Sequence, residues 1–317
     1  MNKKALIFGV SGQDGSYLAD LLLGKGYYVI GTSRSYKNAN NDNLSKLKIR
    51  DQVNLVDLDP INFDDTYKLI TSTLPDEIYY LAGQSSVGKS FIQPFDTINS
   101  FLVGSLNVLE SCRLADKDIK IYNAGSSESF GNTDTSAANE SFPFKPESPY
   151  GVAKASAHWL VNNYREAYGM YSCTGILFNH ESILRPENFV TQKIIRTAKR
   201  IKQGSNEQLI LGKMDIVRDW GWAPEYVEAM WLMLQENEPS DFIIATGHSI
   251  SLEDFVKYSF DCLDLDYKDF IKQDQGLFRP TDILTSKADP SKAKRELNWE
   301  AKTHTKELIK IMIETSL

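Results

Sequence analysis

Apolar positions along this chain fall into short unbroken blocks separated by amphipathic runs. Residues 5–9 are one such block, and 16–24 place leucines at helical spacing behind it. A short continuous apolar run reads as a strand buried on both faces, and apolar residues three and four apart read as a helix lying on it. The alternation recurs with strands at 27–32, 53–58, 77–81, 119–123 and 171–177, and helices at 63–73, 99–114 and 155–168. A strand and helix every 25 to 30 residues predicts a parallel sheet with crossover helices, an α/β Rossmann-type doubly wound fold. Residues 36–44, rich in Asn, read as a loop.

After residue 178 the alternation loosens. Helices are expected at 188–204, 251–264, 289–297 and 305–315, a short strand at 208–211, and a return to the main sheet at 242–246. The expected organisation is a dinucleotide-binding domain over 1–178, rejoined near 242–247, and a smaller α/β substrate lobe built mostly from 179–317. No repeat or low-complexity segment divides the chain.

The first strand runs into Gly9-Val10-Ser11-Gly12-Gln13-Asp14-Gly15 and then into the first helix. Glycines there let the backbone turn tightly and approach a pyrophosphate resting on the helix N-terminus. This gives Gly9, Gly12, Gln13, Asp14 and Gly15 as cofactor contacts. The second strand ends in Thr32-Ser33-Arg34, where an NAD enzyme often carries an acid. An arginine there suits a 2′-phosphate, so Arg34 favours NADP over NAD. Asp57 and Leu58 close the third strand, where an adenine edge fits. Leu81, Ala82, Gln84 and Ser85 open the loop after the fourth, at the C-terminal sheet edge where ligands of open α/β sheets bind. The fifth strand opens into Ala124-Gly125-Ser126-Ser127-Glu128, which offers hydroxyls and a carboxylate at that same edge.

Next in the chain come Tyr150 and Lys154, four apart at the start of a helix, so both side chains share one face. A lysine ammonium close to a phenol favours the phenolate and draws its pKa below about 10. Such a phenol can take a proton from a sugar or alcohol hydroxyl near neutral pH.

Composition narrows the partners. A net charge of −7 over 317 residues argues against nucleic acid. No stretch approaches the roughly 20 apolar residues of a membrane span, and the first apolar run is too short for a secretory signal core. Three scattered cysteines, Cys112, Cys173 and Cys262, form neither a metal spacing nor a disulfide framework. They read as reduced thiols of a cytoplasmic protein with no metal site.

Several blocks then carry a resemblance. They are Gln13-Asp14-Gly15-Ser16-Tyr17-Leu18, Phe178-Asn179-His180-Glu181-Ser182, Phe189-Val190-Thr191-Gln192-Lys193-Ile194, Arg218-Asp219-Trp220-Gly221 and Phe242-Ile243-Ile244-Ala245-Thr246-Gly247. With the glycine turn and the Tyr150–Lys154 pair, they resemble the extended short-chain dehydrogenase/reductase family of nucleotide-sugar enzymes, and within it the GDP-mannose 4,6-dehydratases. The resemblance implies cofactor contacts at His180 and Arg185. It implies GDP-sugar contacts at Ser85, Asn179, Lys193, Arg218 and Arg279, and a homo-dimer or homo-tetramer. The chain departs from the family pattern at three sets of residues, and it is shorter than typical members, chiefly between Ile250 and Phe278. Ser126 stands where Thr is usual, Ser86 where His is usual, and Ile183-Leu184 where Pro-Arg is usual. These leave the reaction type standing and the exact sugar open.

The expected chemistry is an internal redox dehydration. Tyr150 removes the proton from the sugar O4 as hydride leaves C4, Lys154 holds the nicotinamide ribose, and Ser126 hydrogen-bonds the sugar and relays protons. The resulting ketone acidifies the C5 hydrogen. Glu128 takes that proton and protonates the departing C6 hydroxyl, and hydride returns to C6. Glu128 separates this reading from a GDP-sugar 4-reductase, 4-dehydrogenase or 4-epimerase, which needs only the hydroxyl, the Tyr and the Lys. The sequence is also compatible with a GDP-manno-heptose 4,6-dehydratase and with a catalytically silent NADP-binding sensor.

Overall fold

Seven short apolar runs form one all-parallel sheet in the computed structural model, which describes residues 2–34, 43–115 and 117–315. The strands in chain order are β1 Lys4–Phe8, β2 Tyr28–Ser33, β3 Asn54–Asp57, β4 Glu77–Tyr80, β5 Lys120–Ala124, β6 Ser172–Leu177, β7 Asn179–Glu181, β8 Leu209–Leu211, β9 Val217–Trp222, β10 Phe242–Ile244, β11 Ser249–Ser251 and β12 Ile271–Gln273. The main sheet has the order β10-β6-β5-β4-β1-β2-β3. The chain winds outward from β1 in one direction through β2 and β3, then in the other from β4. The reversal opens a crevice above the C-terminal ends of β1 and β4.

Six of these strands are largely buried on both faces, which accounts for their apolar runs, while the edge strand β3 is only partly buried. Successive residues of β1 point to opposite sides. Ala5 and Ile7 join one core with helices Gln13–Gly24 and Ala223–Met233, while Leu6 and Phe8 join a second core with helices Phe63–Thr73, Gly104–Leu114 and Pro149–Tyr168. A third core, around Ile194, Trp220, Phe255 and Leu308, fills the lobe beyond the sheet edge.

The glycine turn is dictated by contact. Gly9 has φ +85°, and a Cβ there would stand 2.9 Å from the Ala82 Cα. A Cβ on Gly15 would overlap the Gly9 carbonyl oxygen. Gly9 and Val10 donate backbone N–H groups to the Thr32 carbonyl at 3.1 and 3.2 Å, which ties the turn to the end of β2.

The helices at 63–73 and 305–315 lie where the sequence predicts. Asn62 caps the first by accepting from the Asp65 N–H at 3.2 Å. Other elements differ. The single helix expected over 99–114 is a π-helical turn, Asn99–Val103, followed by an α-helix from Gly104 to Leu114. The loop expected at 36–44 falls mostly outside the described residues, and its last two belong to a short helix, Asn43–Lys46. Helices Val87–Ile92, Pro94–Ile98 and Ala223–Met233 have no counterpart in the sequence pattern.

Only Phe178 separates β6 from β7, so β7 projects straight beyond the sheet edge. It pairs in parallel with β9, Asn179 opposite Trp220 and His180 opposite Gly221, and β9 pairs antiparallel with β11. Residues 278–289 form a strap across this lobe. Its bridges join Val217 to Thr285 and Ala138 to Ala288, and the Thr285 N–H donates to Asn132 Oδ1 at 2.9 Å.

Candidate active site

The two loops at the C-terminal ends of β4 and β5, the start of helix Pro149–Tyr168 and strand β7 enclose two adjoining cavities. The inner one, of about 130 Å³, is lined by Asp14, Leu81, Ser126, Glu128, Tyr150, Lys154, His180 and Arg185, among others. The outer one, of about 310 Å³, is lined by Lys193, Arg218, Arg279 and Asp282 as well as by the residues the two share. Ser85, Val87, Glu128, Asn179 and Arg185 line both. The four residues expected to carry chemistry therefore face one inner space, and Glu128 stands on its boundary with the outer one.

Local structure sets each of them. Ser148 caps its helix by accepting from the Gly151 N–H at 3.0 Å, and Pro149 occupies the first turn. This fixes Tyr150 and Lys154 in the first two turns, pointing back over the sheet. A short 3-10 turn, Ser127–Ser129, follows β5, and Ser126 Oγ accepts from the Glu128 N–H at 3.3 Å. A Cβ on Gly151 would stand 2.6 Å from the Glu128 carbonyl oxygen, so the turn and the helix touch directly.

The electrostatics differ from the sequence expectation at one point. Lys154 is not what lowers the Tyr150 phenol. Burial pushes that phenol up to about 12, and a hydrogen bond with Ser126 draws it partly back. The Lys154 ammonium instead donates to the Ala124 carbonyl at 2.7 Å and lies 5.9 Å from the centre of the Tyr150 ring. Burial pulls Lys154 down to about 7, against the attraction of Asp14. Desolvation by burial thus outweighs the pair interaction inferred from spacing. Burial also raises Glu128, although Arg218 and Arg279 pull it down.

Asp14 and His180 form an ion pair on the wall of the inner cavity, with His180 Nε2 2.9 Å from Asp14 Oδ2. The imidazole Nδ1 meets the Phe178 carbonyl at 2.7 Å, and the ring stacks on Tyr226. Gln13 Nε2 donates to Asp14 Oδ1 and to the His180 carbonyl, and Ser182 Oγ donates to Gln13 Oε1 at 2.8 Å. Burial opposes both charges, yet the pairing prevails, lowering Asp14 to about 2 and raising His180. The sign of the linkage follows. The Asp14 contribution is full above its ordinary pKa of about 4 and is lost as pH falls towards 2. The His180 contribution is full below about 6.5 and is lost as pH rises past its folded value. Asp14→Asn is expected to cost about 2 kcal/mol near pH 5. In urea unfolding the gap from the parent should close towards pH 2; a gap independent of pH would refute the ion pair.

The remaining expected contacts are spread along the sheet edge. Arg34 is exposed just after β2, Asp57 ends β3, and the Leu58 N–H donates to the Ser33 carbonyl at 3.1 Å. Ser11 Oγ and Ser33 Oγ lie 3.2 Å apart, which brings the Arg34 turn beside the glycine turn. Arg34, Asp57, Leu58, Ala82 and Gln84 line neither cavity. The Gln84 side chain binds its own loop, donating to the Ser86 carbonyl at 2.8 Å. In the outer cavity, Lys193 Nζ donates to the Ile210 carbonyl at 2.6 Å, and Asp282 lies 3.9 Å from Arg218 and 3.5 Å from Arg279.

Lining residues that the sequence does not mark for a role include Phe101, Asp282 and Glu181. Phe101 lies on the π-helical turn, Asp282 on the strap, and Glu181 on β7. Burial raises the Glu181 carboxyl, while Arg185, 3.4 Å away, opposes that rise. None of the three shows in periodicity. Glu181 lies in the run from Phe178 to Ser182, two residues from Asn179, and that proximity is its one sign in the sequence.

Comparison with known proteins bears on the family and the fold. A family model described as GDP-mannose 4,6 dehydratase matches residues 6–312. The protein named GDP-mannose 4,6 dehydratase 2 of Arabidopsis thaliana is 45% identical over 99% of this chain and 87% of its own length. Among solved structures, dTDP-glucose 4,6-dehydratase from Bacillus anthracis, in complex with NAD, superposes with a TM-score of 0.85 at 19% identity, covering 98% of this chain and 96% of that one. RMD from Pseudomonas aeruginosa, complexed with NADPH, gives 0.81 at 20% identity over 99% and 98%. The structural likeness establishes the fold, and the full-length sequence match establishes the family: this chain belongs to the GDP-mannose 4,6-dehydratases.

Proposed function

We propose that this protein converts GDP-mannose to GDP-4-keto-6-deoxymannose with loss of water. The observation that carries the reading is the position of Glu128 on the wall common to both cavities, next to Ser126 and Tyr150. Oxidation or reduction at one carbon needs a hydroxyl relay and a phenol. Expelling the C6 hydroxyl needs one further acid and base, and a carboxyl raised by burial suits both tasks.

A nicotinamide cofactor fits the turn at Gly9 to Gly15, whose closeness to Ala82 leaves room for backbone alone. When bound there, it accepts a hydride from the sugar and returns it. Gly9, Gly12 and Gly15 would hold its pyrophosphate over the N-terminus of helix Gln13–Gly24, with Asp14 and His180 fixing that turn. Arg34 would receive a 2′-phosphate, which makes NADP the preferred form.

On the substrate side, Arg218 and Arg279 would hold the diphosphate, each released from Asp282 as it does so. Lys193 would meet the nucleotide. Ser85 and Asn179 would surround the hexose where the cavities join, and Arg185, which also lines both cavities, would meet the cofactor. Tyr150 would take the O4 proton and pass it through Ser126, while Lys154 holds the ribose. Glu128 would then remove the C5 proton and deliver one to the leaving C6 oxygen.

Assembly is proposed as a homo-dimer or homo-tetramer. Ile92, Phe95 and Trp159 are 81%, 82% and 59% exposed on three helices that touch one another. Their exposure supports an interface on this face, and the particle mass in solution tests it. Among the described residues no helix is long and apolar enough to cross a membrane, and the three thiols are unpaired, in keeping with a cytoplasmic enzyme.

The deciding experiment is incubation of the purified protein with NADP and GDP-mannose, followed by mass measurement of the product. Loss of one water with no net reduction of cofactor is expected. A product two hydrogens lighter, or an epimer of unchanged mass, would replace the dehydratase with a single-carbon redox enzyme.

A further inference from the structure

A separate small apolar cluster, Phe101, Tyr150 and Ala153, backs the phenol and ammonium of the inner cavity. Phe101 is 3% exposed and sits in the middle of the π-helical turn Asn99–Val103. A π turn inserts one extra residue into a helix and redirects side chains locally, often at functional sites. Here it aims one ring at three neighbours. The Lys154 ammonium lies 4.0 Å from the centre of that ring. The Tyr150 ring meets it in a T-shaped contact, with centroids 5.3 Å apart and planes at 88°. Gly83, from the loop after β4, approaches so closely that a Cβ there would overlap the ring edge.

We propose that Phe101 is a positioning residue for this reaction: its ring face seats the Lys154 ammonium, and its T-shaped contact fixes the Tyr150 phenol. The assignment rests on the dehydratase reading for its consequence in turnover, but the contact stands on geometry alone. A cation against a π face is attracted by the ring quadrupole, most strongly where water is excluded. That attraction favours the charged lysine, which burial disfavours. The other ionisable groups lining the inner cavity are Asp14, Glu128, Tyr150, His180 and Arg185. Of these, Asp14 is the one that supports the ammonium, and it is already committed to His180. The Ala124 carbonyl supplies the remaining contact on Lys154. Phe101 therefore adds its ring face to the single hydrogen bond with Ala124 in seating the ammonium.

The test replaces Phe101 with phenylalanines carrying one, two and three ring fluorines, which weaken the quadrupole while nearly preserving shape. In protein labelled with ¹³C at the lysine ε-carbon, the Lys154 signal is assigned by its loss in Lys154→Arg. Its titration midpoint is expected to fall stepwise along the series, by about one pH unit at the end. In the cofactor-loaded enzyme, kcat should fall in parallel by about tenfold, with KM for GDP-mannose unchanged, because Phe101 lines only the inner cavity. Phe101→Leu, which keeps bulk but no π face, should match the most fluorinated protein. A midpoint constant across the series overturns the proposal. A graded midpoint in a protein that never turns over GDP-mannose would leave the contact standing and remove the dehydratase reading instead.

Discussion

Glu128→Gln is expected to lower dehydration by about 10²- to 10⁴-fold, the usual contribution of one acid–base group. The change is nearly isosteric and keeps the amide able to hydrogen-bond, so binding of cofactor and GDP-mannose should persist. What disappears is the exchangeable proton. Glu128 has two transfers to perform at neighbouring carbons, and a group that must both accept and donate works best with a pKa near the operating pH. Burial supplies that rise, Arg218 and Arg279 temper it, and Asp282 and Glu147 add to it. The variant should still oxidise C4, so reduced nicotinamide should accumulate to a stable absorbance while no water is lost. Full formation of the deoxy sugar by Glu128→Gln would transfer the elimination step to another residue.

The same desolvation that prepares Glu128 explains where spacing misleads. A phenol and an ammonium four positions apart imply proximity, but proximity alone does not set a pKa. Tyr150 and Lys154 are both buried, so each is pushed towards its neutral form, and the lysine finds a backbone carbonyl before it finds the phenol. Burial of this kind depends on loops far apart in sequence, and no local pattern reports it.

Other parts of the molecule are written locally and can be read. β1 and the glycine turn announce themselves because an unbroken apolar run and closely spaced glycines have few other uses. Helix Phe63–Thr73 carries its own cap in Asn62. The turn at Asn99–Val103 gives no such notice, since no residue type marks a π insertion in the sequence, yet it turns Phe101 into the site. The strap carrying Arg279 and Asp282 is likewise invisible as a structural unit. Its position is set by bridges to Ala138 and Val217, more than sixty residues away. Resemblance supplies Arg279; the physics of the local sequence does not.

Tyr150→Phe should be as damaging as loss of the carboxyl, and in a different way. Turnover is expected to fall by about 10²- to 10⁴-fold in kcat. Tyr150 is 8% exposed and held by Phe101 through its ring, which phenylalanine retains. Removing the hydroxyl also frees Ser126 from its partner, so stability should change by only about 1 kcal/mol. The variant should therefore fold, bind and stall. It stalls earlier than Glu128→Gln, because the O4 proton has no acceptor and C4 oxidation cannot begin. Reduced nicotinamide should stay at background in Tyr150→Phe and accumulate in Glu128→Gln. The double variant should then resemble Tyr150→Phe alone, since a later step adds nothing once the first is blocked. Accumulation of reduced cofactor in Tyr150→Phe at the level seen in Glu128→Gln would show that the phenol is not the first base, and Ser126 or Lys154 would have to take that place.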